Sequence, residues 1–194
     1  MAEVEKKGAA DEAPSVGEMK RGDYMIHIYL EKGKEFKGPN DTVDPMVEIT
    51  CLGQKQYSSA KDDITQISEV TWSEHIFLEP KNVEKKAAED AQLQIRVLDK
   101  GFFKDSVIGQ FEFNLTHLYF MKDHLLLHQW IALSNPNSED YSKITGYLKV
   151  SISVAATGDE QVQINEDDGV GGNDNVMMPP QLNPKFYQLK FRIF

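Results

Sequence analysis

The sequence predicts an all-β fold, an eight-stranded antiparallel β-sandwich with short helical excursions. In six short segments, apolar side chains recur at every second position, the period of a strand with one buried face. These segments are 24–30, 46–52, 74–78, 93–97, 111–115 and 148–154. Turn-forming clusters separate them, such as Gly-Pro-Asn-Asp at 38–41 and Ser-Asn-Pro-Asn-Ser at 134–138. Seven or eight short strands over about 130 residues are typical of an antiparallel sandwich.

Two stretches interrupt the alternation. Residues 82–91 contain Glu84, Lys85, Lys86, Ala87, Ala88 and Glu89. These are helix-forming residue types, and the stretch predicts a helical excursion between two strands. Residues 115–127 predict a second short turn of helix.

Composition divides the chain into four parts. Residues 1–21 carry almost no large apolar side chains and predict a disordered tail. The domain is expected over 22–156, and an acidic flexible linker over 157–180. Residues 181–194 contain a strongly apolar alternating strand that runs to the last residue. An unpaired apolar strand is an edge liability, so either it docks back on the sandwich or, as we favour, it begins a following segment of a longer protein.

Charge and cysteine content limit the function. The 194 residues carry a formal net charge of −10, which argues against nucleic acid as a partner because phosphate binding needs a basic face. Cys51 is the single cysteine, so no disulfide forms within the chain. The charged start is unlike a signal peptide, and no run reaches the roughly 18 apolar residues of a membrane span. We expect a cytoplasmic protein, monomeric in isolation.

Three short runs, in the right order, resemble a C2 domain. Val43–Ile49 is similar to the S-D-P-Y-V-x-V start of that domain's third strand, and Val70–Phe77 is similar to its P-x-W-N-E-x-F-x-F run. Ile95–Asp99, followed by Asp105–Gly109, is similar to its V-x-D…D-x-x-I-G loop and strand. The resemblance implies a C2-type sandwich.

A narrower resemblance lies further along the chain. His128–Pro136 and Gly146–Ser151 are similar to the close of the second C2 domain of ferlins, where W-x-x-L-x-[DN]-P precedes G-Y-[LV]-K-x-S. In ferlins an acidic linker and the first strand of the next C2-containing segment follow, and residues 157–194 are similar to that arrangement. The resemblance implies a module of a vesicle-trafficking or membrane-fusion protein.

The resemblance also implies candidate calcium ligands. C2 domains that bind calcium use two Asp residues of the first loop and three of the third. Asp44 matches the later first-loop position, Asp99 the first third-loop position and Asp105 approximately the last.

The other two ligand positions are occupied by glycine. Gly38 and Gly101 stand there, with Asn40 or Asp41 as the nearest replacement for the first. Calcium takes six to eight oxygen ligands, and three carboxylates are too few for two ions. We therefore expect calcium binding to be weak or absent, with one weak site as the alternative.

The third loop has a second feature, two adjacent aromatic residues between lysines. Phe102 and Phe103, flanked by Lys100 and Lys104, are expected at the loop tip. Exposed aromatics beside cations suit insertion into the headgroup region of an anionic membrane. The alternatives are that one Phe packs down over the end of the sandwich, or that the loop contacts a protein.

These observations predict a non-catalytic module that docks peripherally on anionic phospholipid membranes. The alternative is a calcium-independent scaffold that binds a protein partner, which the acidic composition favours. An enzyme is not expected, because no nucleophile motif is present. The three histidines at 117, 124 and 128 match no metal-ligand spacing.

Overall fold

A computed structural model describes residues 18–38, 40–138, 143–164 and 175–179. The strands are β1 (Tyr24–Lys34), β2 (Thr42–Val43), β3 (Pro45–Cys51), β4 (Gln54–Tyr57), β5 (Ile64–Thr65), β6 (Glu69–Leu78), β7 (Gln92–Asp99), β8 (Ser106–Asn114), β9 (Leu125–Ser134), β10 (Ile144–Ala156) and β11 (Val176–Met177). The helices are α1 (Lys85–Glu89) and α2 (Leu115–Tyr119), and a 3-10 turn spans Lys122–His124.

The long strands form two antiparallel layers. One layer has the order β4-β3-β7-β8 and the other has the order β9-β10-β1-β6. The layers are joined where β8 meets β9, and that junction consists of the single pair Gln110–Ser134. The two shortest strands of the first half, β2 and β5, pair separately. The predicted eight-stranded antiparallel sandwich is therefore confirmed.

The core lies between the layers and follows the alternation of the sequence. In β1, the side chains of Tyr24, Ile26, Ile28 and Leu30 are buried, as the period-two pattern predicted. Cys51 is also buried, and desolvation raises the pKa of its thiol to about 12. This thiol is a core side chain with little tendency to form the reactive thiolate.

Both helical excursions are present. In α2, the side chain of Asn114 accepts a hydrogen bond from the His117 amide at 3.1 Å, which is an N-cap. The common core includes Leu115 and Leu118 of α2 and Ala88 of α1. The helices therefore close the sandwich at one end rather than forming a separate layer.

The domain begins before the predicted boundary at residue 22. Met19 is buried in the core, and Gly22 exchanges two backbone hydrogen bonds with Val83, at 3.0 and 2.8 Å. Residues 18–21 therefore belong to the domain and not to the tail predicted over 1–21, because one apolar residue in a polar stretch was enough to anchor it. The rest of that tail, 1–17, lies outside the described residues.

Part of the predicted linker also packs on the sandwich. Ile164 is buried, and β11 lies parallel to β9 beside Trp130 and Ile131. The expectation of a free linker over 157–180 is therefore wrong for the residues at 157–164 and for β11. The intervening residues 165–174 and the predicted strand in 181–194 lie outside the described part of the chain.

The sandwich has two distinct ends. Residues 40–44, 58–68 and 100–105 meet at one end, where Pro45 pairs with Asp99 and the Lys61 amide donates to the Pro45 carbonyl at 3.1 Å. We call this the loop end. Residues 19–24, 115–120 and 156–159 meet at the opposite end, which we call the terminal end.

Candidate functional site

The most prominent feature of the loop end is a pair of solvent-facing phenylalanines. Phe102 and Phe103, in the connection from β7 to β8, are each 95% exposed. Their rings contact one another edge to face, with centroids 4.8 Å apart and an interplanar angle of 83°. The alternative that one Phe packs down over the end of the sandwich is therefore wrong.

Lysines flank the aromatic pair, as the sequence indicated. Lys100 and Lys104 are both exposed. Among the ion pairs formed by the described residues, none involves either lysine. Two ammonium groups outside the described ion pairs thus flank the two rings in sequence. With Asp99 and Asp105 in the same loop, the local charge is balanced, unlike the acidic charge of the whole chain.

The loop holds this shape through a tight internal turn. The Gly101 amide donates a hydrogen bond to Asp105 Oδ1 at 3.2 Å. A Cβ atom on Gly101 would lie 2.3 Å from the carbonyl oxygen of Lys104. Because real Cβ contacts are never that short, the turn accepts only glycine at this position without a backbone shift. The glycine that replaces a calcium ligand therefore has a structural requirement of its own.

Two of the predicted calcium ligands instead join the loops to one another. Asp99 Oδ1 accepts a hydrogen bond from the Asp44 amide, and Asp44 Oδ1 accepts one from the Asp63 amide, both at 2.8 Å. The Lys100 amide donates to the Asp44 carbonyl at 3.0 Å. Carboxylates that accept backbone amides in this way fix the geometry of neighbouring turns. Asp44 is thus bonded to both neighbouring loops.

Asp41 and Asp105 are not part of this hydrogen-bonded pair. Asp41 is exposed and takes no part in the hydrogen bonds of Asp44 and Asp99 described above. Gly38 lies close to the pair, but a Cβ atom there would be 2.3 Å from Val43 Cγ1 and 3.8 Å from Asp99 Oδ2. A larger side chain at position 38 would therefore have to displace Val43 before it could reach the carboxylates.

The carboxylates of the loop end are already partly engaged by the protein's own backbone. Within the described ranges, no three His, Cys, Asp or Glu side chains are grouped so that they could hold a metal ion. Asp44, Asp99 and Asp105 each have one oxygen engaged with a backbone amide. Six to eight converging oxygens are needed, so calcium binding stays a prediction for experiment.

Sequence reasoning missed one residue of this end. Ile67, between β5 and β6, is 96% exposed. It occupies a turn in which the Ser68 amide donates to the Thr65 carbonyl at 3.0 Å, and the hydroxyls of these two residues are 2.6 Å apart. The available signal was one large apolar residue in an otherwise polar turn, which periodicity alone does not detect.

A buried polar cluster elsewhere was also missed. His128 Nδ1 lies 2.8 Å from Glu31 Oε1, and Ser151 Oγ donates to the same oxygen at 3.1 Å. Lys149 lies 3.4 Å from the other Glu31 oxygen. The Ser151 hydroxyl bonds the carboxylate and the His128 amide rather than an imidazole nitrogen, so the cluster joins three strands and lacks the order of a catalytic triad.

Comparison with known proteins agrees with this architecture. A family model described as "C2 domain" matches residues 24–133. The chain is 27% identical over 161 residues to myoferlin of Xenopus tropicalis, and 23% identical over 176 residues to myoferlin of Homo sapiens. These matches cover 81% and 89% of this chain, but in both cases only 8% of the relative.

Solved structures share the fold at low sequence identity. The C2A and C2B domains of Extended-Synaptotagmin 2 match with a TM-score of 0.54 at 18% identity, over 73% of this chain and 42% of that one. A calcium-bound form of the same domains matches with a TM-score of 0.53 at 17% identity, over 73% and 45%. Within the part of the chain that is described, no helix has the length and apolar character needed to cross a membrane.

Proposed function

The chain belongs to the C2 domain family, and from this premise we propose that it is a non-catalytic module that docks on anionic phospholipid membranes through its loop end. Docking has weak or no dependence on calcium. The observation that carries the proposal is the exposure of Phe102 and Phe103, each 95%, at the tip of one loop.

Exposure of this kind has a large energetic consequence at a membrane. Moving one Phe side chain from water into an apolar environment contributes about 1.5–3 kcal/mol. The two rings together therefore contribute about 3–6 kcal/mol before the cost of orienting the protein. Because the rings make few contacts with their own domain, insertion breaks nothing in the core.

The flanking lysines add a local electrostatic attraction at the point of contact. Near an anionic bilayer, each Lys contributes about 1 kcal/mol, and Lys100 and Lys104 have no acidic partner among the described ion pairs. The net charge of −10 repels other parts of the surface from the same bilayer. The electrostatic attraction is confined to the tip of this loop, because the rest of the loop end carries Asp41, Asp44, Asp62 and Asp63. The two apolar rings therefore make the main contribution to docking in this proposal.

Calcium independence is supported by what the carboxylates already do. In a calcium-dependent site, the ion draws several negatively charged loops together. Here Asp44 and Asp99 join the loops through backbone amides at 2.8 Å. The loop geometry is thus held by the protein's own hydrogen bonds.

The similarity to myoferlin extends the proposal to a cellular role. We place the module in a ferlin-like protein of vesicle trafficking or membrane fusion, peripheral to a cytoplasmic membrane surface. The chain spans only 8% of the myoferlins that it matches, so the role of a whole protein is part of this proposal.

Co-sedimentation with phosphatidylserine-containing vesicles tests the proposal, in calcium and in chelator. We expect binding in both conditions. The double variant Phe102→Ser/Phe103→Ser should bind at least about tenfold more weakly, since it loses both apolar transfers. Phe120→Ser is the matched control, because Phe120 is 41% exposed but lies at the terminal end.

Each other outcome has a definite meaning. Binding only with calcium would show that Asp44, Asp99 and Asp105 suffice for an ion and would overturn the calcium independence. Equal binding by the wild type and the double variant would overturn docking through this loop. Binding in neither condition would favour the protein-binding scaffold, for which the acidic net charge is the supporting observation.

A further inference from the structure

We infer that Ile67 is a second membrane anchor, so that the domain inserts two loops at once; this inference rests on the proposed function. Ile67, Phe102 and Phe103 together are called the apolar tip. The occupant is the hydrocarbon edge of a phospholipid bilayer. Ile67 acts only by inserting its apolar side chain, and it neither binds a metal ion nor recognises a lipid headgroup.

The first argument is the distribution of exposed apolar side chains. Ile67 is 96% exposed, and Phe102 and Phe103 are each 95% exposed. The other exposed large apolar residues of the described chain range only from 40% to 55%, and they are Tyr57, Phe77, Phe120, Val176 and Met178. Among the described residues, the large apolar side chains that are almost fully exposed are thus confined to the loop end.

The second argument is that the two loops are fastened to the same residue. In the loop of Ile67, the Asp63 amide donates to the Asp44 side chain at 2.8 Å. In the loop of the two phenylalanines, the Lys100 amide donates to the Asp44 carbonyl at 3.0 Å. The pairing of Val43 with Ile64 fastens the loop of Ile67 to the same segment, one position before Asp44.

The third argument is local rigidity. Ile67 lies inside the Thr65–Ser68 turn, which is closed by the 3.0 Å backbone bond and by the contact between the two hydroxyls at 2.6 Å. A side chain on a closed turn loses less freedom on insertion than one on an open loop, so more of its transfer free energy appears as affinity.

Charge sets the depth that this turn reaches. Asp62 and Asp63 are exposed a few residues before Ile67. A carboxylate inside the hydrocarbon is strongly unfavourable, so the isoleucine side chain enters while the base of its loop stays among the headgroups. Insertion at two separate loops also restricts the tilt of the domain, which one aromatic loop alone does not.

Site-specific labelling tests the inference directly. Ile67→Cys, Phe102→Cys and Phe120→Cys are each labelled with an environment-sensitive fluorophore. The native Cys51 is buried and the pKa of its thiol is raised to about 12, so the label goes to the introduced thiol. With phosphatidylserine-containing vesicles, we expect a blue shift and quenching by spin-labelled lipid at positions 67 and 102, and neither at position 120.

Binding measurements supply an independent readout. Ile67→Ser should weaken vesicle binding about three- to tenfold, Ile67→Asp more strongly, and Ile67→Leu hardly at all. Because the side chain is almost fully exposed, these variants should keep the melting temperature of the wild type, which serves as the folding control.

The outcomes separate the two proposals. A signal at position 102 with none at position 67 would overturn the second anchor and leave the proposed function intact. Vesicle binding with no signal at either position would overturn both, as would absence of vesicle binding by the wild type. Signals at both positions, with weaker binding by Ile67→Ser, would establish the two-loop contact.

Discussion

The two ends of the sandwich use the same side-chain types in opposite ways. At the terminal end, Tyr24 and Tyr119 meet edge to face with ring centroids 6.2 Å apart, and both are buried. At the loop end, Phe102 and Phe103 meet edge to face at 4.8 Å, and both face solvent. An aromatic pair is therefore part of the core at one end and available to a partner at the other.

The acidic side chains show the same contrast. Asp159 at the terminal end accepts hydrogen bonds from the Tyr119 hydroxyl and the Ala156 amide, both at 2.8 Å, and pairs with Lys20. Burial acts to raise the pKa of Asp159, but these three partners outweigh it and hold the pKa below its ordinary value. Asp44 and Asp99 instead bond only to loop amides. The terminal end thus uses its acidic side chain to join core residues, whereas the loop end uses its acidic side chains to fix the loops.

Removing Asp159 should have the largest effect on folding. In Asp159→Ala, the buried Tyr119 hydroxyl and the Ala156 amide lose their acceptor, which we expect to cost about 2–4 kcal/mol of the free energy of unfolding. Urea denaturation measures this loss. Asp62→Ala at the loop end is the control, because Asp62 is exposed, and it should change stability by less than about 0.5 kcal/mol.

Vesicle binding by the same variants sharpens the comparison. Asp159→Ala should keep its affinity under conditions in which it is folded, since the terminal end is remote from the apolar tip. Equal stability of Asp159→Ala and Asp62→Ala would contradict the division between the two ends.

The fold could be predicted because it depends on local periodicity. The alternation in 24–30 and 148–154 determined which faces are buried, and the structure pairs those segments as β1 and β10. The boundaries were less predictable. Met19 and Ile164 pack into the domain from polar stretches whose composition indicated a tail and a linker, because a single buried side chain changes composition very little.

The candidate site was predictable only in part, for a related reason. Adjacent aromatics between lysines are a local signal, so Phe102 and Phe103 were identified from the sequence. Ile67 is linked to their loop only through the segment of Asp44, by the Asp63–Asp44 and Lys100–Asp44 bonds and the Val43–Ile64 pairing, which are long-range contacts. Likewise, the sequence identified Asp44 and Asp99 as candidate calcium ligands. It did not reveal that their carboxylate oxygens accept hydrogen bonds from backbone amides.

His27, the buried histidine of β1, should make the free energy of unfolding depend on pH. The size of this effect should be intermediate among those predicted here. Desolvation, with a smaller contribution from His75, lowers the pKa of His27 from 6.5 to about 4. Between these values the unfolded chain binds the proton and the folded chain does not, so stability falls as pH decreases through this window. The full loss corresponds to about 3 kcal/mol.

Denaturation between about pH 7 and about pH 5 measures this slope. His27→Gln should flatten it, and His117→Gln should not, because His117 is exposed on α2. The same slope in the wild type and in His27→Gln would show that another group is responsible. The loop end should contribute nothing to it, since its described side chains include no histidine.

The smallest expected change is the one that most directly tests the contrast between the ends. Phe102→Ser/Phe103→Ser removes two aromatic rings, yet it should alter the free energy of unfolding by no more than about 0.5 kcal/mol, because almost no apolar surface of these rings is buried on folding. Phe111→Leu is the matched control, since Phe111 is buried against Phe113 with ring centroids 4.7 Å apart. That single, milder change should cost about 1–2 kcal/mol. A double variant as destabilised as Phe111→Leu would mean that the two rings pack on the domain in solution, and loss of vesicle binding could then no longer be attributed to lost insertion.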